Sequence, residues 1–350
     1  MDKMRTTAVY DLYVSDIIRE TNYTKSFQLI NPAHDTPYQP GQFLTFLFNG
    51  KNGLEIRRSY SMSSSPNLDE PLTITVKRID NGEISRLLHD QTKIGDKLQT
   101  IGANGFFTIP ENLMQYERLI FFAAGSGIVP IYSLIKSVLK IDHRIKIFLF
   151  FSNNNYHDTI FYNGLIQLQK KNSEQLNIEF LLSDSLYLRN ARLTPESMEK
   201  LLFDHEVDNS FENLFYVCGP AAYMRMIQFK LSTFGVQHSN IKKEIFKIEK
   251  PTHIRMPPDI KPHQVTVSYA KQQYKFSVEY PSTILSAAKK LKIELPFSCE
   301  NGQCGTCAAT CVSGKVWMSN NEVLLDEEIA KGKILTCTGF PINGDVSILI

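Results

Sequence analysis

The first 112 residues contain short segments in which hydrophobic and polar positions alternate, separated by glycine and proline. The clearest alternation covers residues 72–76, and residues 42–48 have similar strand character. One helical stretch, residues 83–89, interrupts the series. Short strands with turn residues between them are typical of antiparallel sandwiches and barrels. We therefore expect an antiparallel β-barrel domain over residues 1–112.

From residue 113 the pattern changes to wholly apolar runs that alternate with segments of helical spacing. The predicted strands are 119–123, 145–151, 178–182 and 214–217, and the predicted helices are 130–139, 159–170, 195–202 and one that begins at Ala221. Strands that are apolar on both faces belong to parallel sheets covered by helices. The pattern therefore predicts an α/β domain with a parallel sheet over residues 113–247.

Residues 248–262 have no periodicity and predict a stiff linker. They contain Pro251, Pro257, Pro258 and Pro262. Beyond them, residues 263–350 predict a separate α+β domain. Its expected elements are a hairpin of 264–268 and 274–278, a helix capped by Ser282 or Thr283 with Ile284, Leu285, Ala288 and Leu291 on one face, and a strand at 346–350.

Composition excludes several classes of function. Hydrophobic residues make up 43% of the 350 residues and charged residues 21%, which is typical of a globular protein. Lys and Arg number 38 against 36 Asp and Glu, giving a net charge of +2. This balance does not suit a chain that neutralises many phosphates, so we expect no nucleic-acid partner.

No membrane segment is expected either. The most apolar stretch, residues 119–135, is broken by Gly125, Gly127 and Pro130 and is shorter than the roughly 18 clean apolar residues of a span. The amino-terminal residues lack the apolar core of a secretory signal. We therefore predict a cytoplasmic protein.

Cysteine spacing gives the strongest chemical signal. Three of the six cysteines, Cys299, Cys304 and Cys307, follow the spacing C-x4-C-x2-C, and Cys337 follows at a distance. This pattern is typical of the four thiolates that hold a plant-type 2Fe-2S cluster. Zinc knuckles instead use C-x2-C pairs on both sides, and no second pair exists here.

Residues 263–350 resemble a plant-type ferredoxin domain, and the resemblance implies a β-grasp fold. Gly302 and Gly305 would allow backbone N–H groups to approach the cluster sulfurs closely. The fifth clustered cysteine, Cys311, is expected to be a small buried hydrophobic residue, although an exchange of ligands with it stays open.

A second signal lies at the end of a predicted strand, where Arg58, Ser59, Tyr60 and Ser61 follow one another. A bound flavin needs a cation for its phosphates, an aromatic face for its ring and a hydroxyl near its reactive nitrogen. On composition alone the same residues would also suit the polar rim of a barrel. The following turn of Gly82, Glu83, Ile84 and Ser85 opens a helix, and helix N-termini bind phosphates.

Together these segments resemble the flavin domain of the ferredoxin–NADP⁺ reductase superfamily. The resemblance implies that Tyr60 stacks on the isoalloxazine, Arg58 pairs with phosphate and Ser61 lies near flavin N5. It also implies that Val76 and Lys77 border the site. The turn at residues 82–85 suits a pyrophosphate, so FAD is favoured over FMN.

The turn of Gly125, Ser126 and Gly127 between a predicted strand and helix suits a pyrophosphate, although tight packing alone would also explain it. It resembles the pyridine-nucleotide domain of the same superfamily, whose partner motif here is Cys218, Gly219 and Pro220. The resemblance implies that Cys218 and Gly219 adjoin the nicotinamide. Ser61, Cys218 and Glu244 are then the predicted catalytic residues.

Two predictions at this domain keep their alternatives. Residues 243–246, which include Glu244 and Phe246, resemble a segment that approaches the flavin in the superfamily, yet an amphipathic edge strand would look identical. Ser183 and Arg192 would suit the 2′-phosphate of NADPH, whereas Asp184 would repel it. The donor is therefore NADPH or NADH, with a slight preference for NADPH.

The order of these modules resembles the reductase components of multicomponent oxygenases, most closely the phenylacetyl-CoA epoxidase reductase group. This implies electron transfer from NAD(P)H through FAD and a 2Fe-2S cluster to an oxygenase in phenylacetate or other aromatic or hydrocarbon degradation. Alternatives are another acceptor, such as a hybrid-cluster or haem protein, or a non-catalytic iron–sulfur carrier.

An acidic group, Glu322, Asp326, Glu327 and Glu328, follows the cysteine loop. It predicts either a solvated helix face or a docking patch for a basic acceptor.

Overall fold

The computed structural model describes residues 9–32, 36–50, 53–185, 191–246 and 255–350. The first of its three sheets is antiparallel, with the order β4-β3-β6-β1-β2-β5. Its strands are β1 (Tyr10–Thr21), β2 (Thr24–Ile30), β3 (Phe43–Asn49), β4 (Glu55–Ser61), β5 (Leu72–Lys77) and β6 (Lys97–Asn104). The bridge between Met62 and Ile74 brings the two end strands together, so the sheet curls into the expected barrel. Helix α1 (Glu83–Gln91) packs its buried Leu88 into the barrel core.

The second sheet is parallel throughout, with the order β11-β10-β7-β8-β9. Its strands are β7 (Arg118–Ala124), β8 (Lys146–Asn153), β9 (Leu176–Leu182), β10 (Asn213–Cys218) and β11 (Ile241–Glu244). Helices α2 (Ile128–Ile141), α3 (Tyr162–Lys171), α4 (Pro195–Asp204) and α5 (Ala221–Thr233) cover it. Every residue of β10 is buried, as its apolar pattern predicts. Helix α3 begins later than the pattern predicts, because Phe161 adopts a left-handed conformation with φ 59°.

The third sheet is mixed, with the order β13-β12-β16-β14-β15. Its elements are β12 (His263–Tyr269), β13 (Gln272–Val278), α6 (Ile284–Lys290), β14 (Ala308–Met318), α7 (Asp326–Ala330), β15 (Lys333–Leu335) and β16 (Gly339–Leu349). Thr283 caps α6 by accepting a hydrogen bond from the Ser286 N–H, which settles the predicted choice of cap. Leu291 was expected on the apolar face of this helix, which is wrong. The helix ends at Lys290, and Leu291 is 56% exposed.

The predicted linker lies partly outside the described residues, which exclude Pro251 and resume at residue 255. Its second half packs against the third sheet through Asp259. The Asp259 carboxylate accepts the Asn343 N–H at 2.8 Å and contacts His263 Nε2 at 2.8 Å. Backbone hydrogen bonds from Lys261 and Asn343 lower the pKa of Asp259 to about 2. The carboxylate therefore fixes this end of the linker to β16.

A polar seam joins the barrel to helix α2 of the second sheet. Lys136 Nζ lies 2.6 and 2.8 Å from the two carboxylate oxygens of Glu70. Ser133 donates to the Ser64 carbonyl, and Ser65 shares a hydrogen bond with Ser137. The seam links the loop after the predicted flavin motif to the helix that follows the predicted nucleotide turn. In the described part of the chain, no helix combines the length and apolar character needed to span a bilayer.

Candidate functional site

The end of strand β4 opens into a cavity of about 440 Å³ between the first two sheets. Its wall contains Arg58, Tyr60 and Ser61 together with Lys77. Tyr60 is half-buried, and burial raises its pKa, so the phenol stays neutral. These groups bring an aromatic ring, hydroxyls and cations to one cavity, as a flavin nucleotide requires.

The turn before helix α1 forms one end of the same cavity, which Gly82, Glu83, Ile84 and Ser85 line. Gly82 is the helix N-cap and makes no side-chain capping bond. A Cβ on Gly82 would come within 2.3 Å of Ser85 Oγ. The turn therefore requires glycine there and presents helix N–H groups to the cavity, an arrangement that fits a pyrophosphate.

A neighbouring cavity of about 360 Å³ shares Arg58, Ser59, Ser61 and Phe246 with the first. Ser61 Oγ donates to Glu244 Oε1 at 2.9 Å, which joins β4 to the end of β11. Burial raises the pKa of Glu244 to about 8, and the hydrogen bond from Ser61 only partly opposes this shift. Glu244 therefore holds a proton at neutral pH beside a flavin-sized cavity.

The structure brings the two predicted nucleotide motifs into direct contact at the carboxyl edge of the parallel sheet. A Cβ on Gly127 would lie 2.1 Å from the Cys218 carbonyl oxygen, so only glycine fits there. Cys218 pairs in register with Ala123 on one side and Glu244 on the other. Its thiol is buried, and that burial raises its pKa, which keeps it protonated. Ser126 lines the 440 Å³ cavity, so the turn also faces the predicted flavin site.

The predicted 2′-end of the nucleotide lies away from the flavin cavities. Ser183 follows β9, three strands from β10, or about 14 Å at ~4.8 Å per strand. Ser183, Asp184 and Arg192 are exposed, and residues 186–190 between them lie outside the described part of the chain. At the end of β8, the buried amide nitrogen of Asn153 has no hydrogen-bond partner among the described residues. This edge therefore has polar groups available for an extended dinucleotide.

The four predicted cluster thiols come together in the third sheet. Cys299, Cys304 and Cys307 lie on the loop before β14, and Cys337 lies between β15 and β16. The N–H of Asn301 donates to Cys299 Sγ at 3.4 Å, and that of Gly302 to Cys337 Sγ at 3.3 Å. Backbone N–H groups directed at sulfur fit thiolates that hold an iron–sulfur cluster.

Single-ion geometry is absent from the described residues, which hold no group of three or more His, Cys, Asp or Glu arranged around one metal ion. A two-iron cluster does not need such a common centre, because each iron takes only two of the four thiolates.

The cysteine loop also forms part of the flavin cavity. Ser298, Cys299, Gln303 and Cys304 line the 360 Å³ cavity opposite Ser61, Glu244 and Phe246. The predicted flavin site and the predicted cluster site thus share one cavity wall. The wall also contains Arg57, Gly105, Phe106 and Phe107, which were not predicted as site residues. No short motif in the sequence assigns them to the site.

Three residues differ from their expected surroundings. Val76 lies in the barrel core with 1% exposure, so its side chain does not border the cavity, whereas Lys77 does. Cys311 is half-buried, not buried, and its thiol contacts the Ser313 carbonyl at a bulged part of β14. Glu322 forms an ion pair with Lys243 at 2.6 Å, so this member of the acidic group is used inside the chain.

Three protein-family models match successive parts of the chain. Residues 12–109 match an oxidoreductase FAD-binding domain, residues 121–228 an oxidoreductase NAD-binding domain and residues 268–341 a 2Fe-2S iron–sulfur cluster binding domain. Each model falls on one of the three sheets.

Known proteins share this order of domains over nearly their whole length. The ferredoxin reductase component of 3-ketosteroid-9-alpha-monooxygenase from Rhodococcus rhodochrous is 30% identical, over 96% of this chain and 95% of that protein. The 1,2-phenylacetyl-CoA epoxidase of Escherichia coli K12 contains a polypeptide that is 27% identical, over 98% of both chains. The solved structure of phthalate dioxygenase reductase is 21% identical and covers 98% of both chains with a TM-score of 0.59.

Proposed function

This chain belongs to the family of flavin and iron–sulfur reductase components of oxygenases, and on that premise we propose which of its residues carry out each part of the reaction. It is an oxidoreductase that transfers electrons from NAD(P)H by way of FAD and a 2Fe-2S cluster to an oxygenase. We assign FAD to residues 1–112, the nicotinamide nucleotide to 113–247 and the cluster to 263–350, with 248–262 as the linker. A cytoplasmic location suits the cluster thiols, which need a reducing compartment.

The proposed roles follow from the chemistry of each side chain. When bound, the flavin accepts two electrons as a hydride and releases them singly, and the cluster relays single electrons. Tyr60 stacks on the flavin ring, Arg58 and the turn at 82–85 bind its phosphates, and Ser61 orients its reactive nitrogen. Glu244 holds a proton at the hydrogen bond that it accepts from Ser61.

The nicotinamide would enter between the turn at 125–127 and Cys218. The buried, neutral Cys218 thiol excludes water there without adding a charge. Asp184 disfavours a 2′-phosphate, whereas Arg192 favours it, so relative rates with NADH and NADPH measure which of them dominates.

The shared 360 Å³ cavity carries this proposal. Ser61, Glu244 and Phe246 lie on one side of it, and Cys299 and Cys304 lie on the other. A flavin ring held by the first group would adjoin the cluster ligands with no intervening domain. The specific acceptor that we propose is an oxygenase of aromatic or other hydrocarbon substrates.

Anaerobic rapid mixing with NADH tests the function directly. The yellow flavin absorbance should bleach first and the brown cluster absorbance should follow in the same molecule. A chain that binds both groups yet leaves the cluster oxidised would contradict the proposed electron path.

A further inference from the structure

Strand β4 presents a row of three polar side chains to the rest of the molecule. Successive side chains of a strand point to opposite faces, so Arg57, Ser59 and Ser61 share one face. Ser61 contacts Glu244 of the second sheet, as described above. The other two residues of the row contact the third sheet, at the segment that leads into Cys299.

Arg57 makes the larger of these contacts. Its guanidinium carbon lies 3.7 Å from the centroid of the Phe297 ring. The same group donates from Nη1 to the Phe297 carbonyl at 3.0 Å, while its Nε bonds Glu55 at 2.9 Å. The Arg57 side chain is only 12% exposed. One planar guanidinium thus contacts both the ring and the backbone of Phe297, which a lysine ammonium does not reproduce.

The adjacent residue of the loop is held in the same way. Ser59 Oγ and Ser298 Oγ lie 2.9 Å apart and share a hydrogen bond. Ser298 directly precedes Cys299, and both line the 360 Å³ cavity. Two successive residues of the cysteine loop are therefore fixed to two alternate residues of β4, across about 240 positions of sequence.

Phe297 is also fixed from its own domain. Lys289 Nζ lies 4.2 Å from the ring centroid and forms an ion pair with Glu300 at 2.8 Å. Lys289 belongs to α6, whereas Glu300 follows the first cluster cysteine. The ring therefore has a cation from its own domain and a cation from the barrel.

We infer that Arg57 is a positioning residue, which acts through Phe297 to hold the first cluster cysteine against the flavin cavity. Arg57 touches none of the reacting groups in this assignment. Its partner is the segment 297–299 of the same chain, and its effect is on the passage of electrons from flavin to cluster. What it positions rests on the function proposed above, whereas the contact itself does not.

The test uses the full-length holoprotein and compares Arg57→Met, Phe297→Leu, the double variant and Arg57→Lys. Arg144→Met is the matched control, because Arg144 pairs with Asp142 on the surface of the second domain. Reduction of ferricyanide by NADH reports on the flavin, and rapid mixing reports on cluster reduction. Amide hydrogen exchange over residues 295–298 reports on the contact itself, and iron content shows that each variant retains its cluster.

We expect Arg57→Met and Phe297→Leu each to slow cluster reduction by about tenfold, since a displacement of about 1 Å between reacting centres costs on the order of a hundredfold. Exchange over 295–298 should accelerate in both, and ferricyanide reduction should match wild type. The double variant should be no slower than either single one, because both remove the same contact. Arg57→Lys should recover only part of the rate.

Wild-type cluster reduction and wild-type exchange in a folded Arg57→Met protein would overturn the inference. Equal losses in Arg57→Met and Arg144→Met would overturn it too. If instead NADH bleaches the flavin of wild type and never reduces its cluster, the proposed function fails, and the exchange comparison still decides the role of Arg57.

Discussion

Glu244 is the residue whose ionisation the surroundings oppose most usefully. Its carboxyl accepts a hydrogen bond from Ser61 and adjoins the buried Cys218 in the parallel sheet. Burial raises its pKa from 4.5 to about 8. Between these two values the folded chain binds a proton that the unfolded chain has released. The free energy of unfolding therefore falls as pH rises through this interval.

We predict that Glu244→Gln removes this dependence, because glutamine resembles the protonated acid and does not titrate. Urea unfolding midpoints should fall with pH more steeply in wild type than in the variant, from pH 4.5 up to about pH 8. Parallel pH profiles for the two proteins would show that Glu244 ionises normally in the folded chain.

Two cysteines of different surroundings provide a matched test of the cluster ligands. We predict that Cys304→Ser abolishes the cluster absorbance and leaves NADH–ferricyanide activity in place, because that thiol belongs to the group of four. Cys311→Ser should change neither property, since the Cys311 thiol contacts only the Ser313 and Gly314 carbonyls among the bonds described. Absorbance and iron content decide the point. Loss of cluster in Cys311→Ser would make Cys311 a ligand.

At the scale of elements, helix α2 connects the nucleotide turn to the barrel. Its Lys136 is 9% exposed and its partner Glu70 is 29% exposed. Burial lowers the pKa of Lys136, and the hydrogen bond and charge of Glu70 oppose this shift. The pair thus supports a lysine charge that the apolar surroundings of α2 disfavour.

We predict that Lys136→Met costs about 2 kcal/mol of stability, because Glu70 loses its partner while water reaches it in part. Lys230→Met is the control. Its partner Glu199 is 63% exposed, so we expect a change within about 0.5 kcal/mol. Chemical unfolding of both variants measures the difference, and equal effects would mean that the seam adds nothing to an ordinary surface pair.

Elements whose pattern is decided locally could be predicted from the sequence. The apolar run of β7, the glycine turn after it and the cap at Thr283 all depend on residues within one turn or strand. The end of α6 could not be predicted in this way, since Leu291 continues the apolar spacing although the helix has stopped. The bulge near Cys311 is likewise set by its pairing with β16.

At the scale of the whole molecule, the motifs of the site could be predicted but their meeting could not. Arg58, Tyr60, Cys218 and the cluster cysteines belong to short motifs with recognisable spacing. The contact of Arg57 with Phe297 joins positions 240 apart, and no local pattern encodes it. Contacts between domains depend on how three separately patterned units pack, which a single sequence does not state.

The acidic group after the cysteine loop divides between inner and outer roles. Glu322 pairs with Lys243, and Glu328 accepts the Leu325 N–H at the start of α7. Asp326 and Glu327 are exposed. We predict that reversing these two charges slows reduction of a basic acceptor at low salt and has little effect when added salt shortens the Debye length below about 10 Å.

Lys331→Glu and Lys292→Glu on the same domain serve as charge-change controls for this prediction. Acceptor reduction at two ionic strengths is the measurement. Identical low-salt rates in wild type and the Asp326→Lys, Glu327→Lys variant would leave these acids as a solvated helix face.

The third sheet takes its central strand from the final residues of the sequence, because β16 lies between β12 and β14. Both of those neighbours are synthesised earlier, so during translation they wait as separate pieces until β16 emerges. A premature stop codon just before residue 339 would spare every cysteine and still leave no complete sheet around them. Such a truncated product would be a flavoprotein that consumes nicotinamide without delivering electrons to its partner.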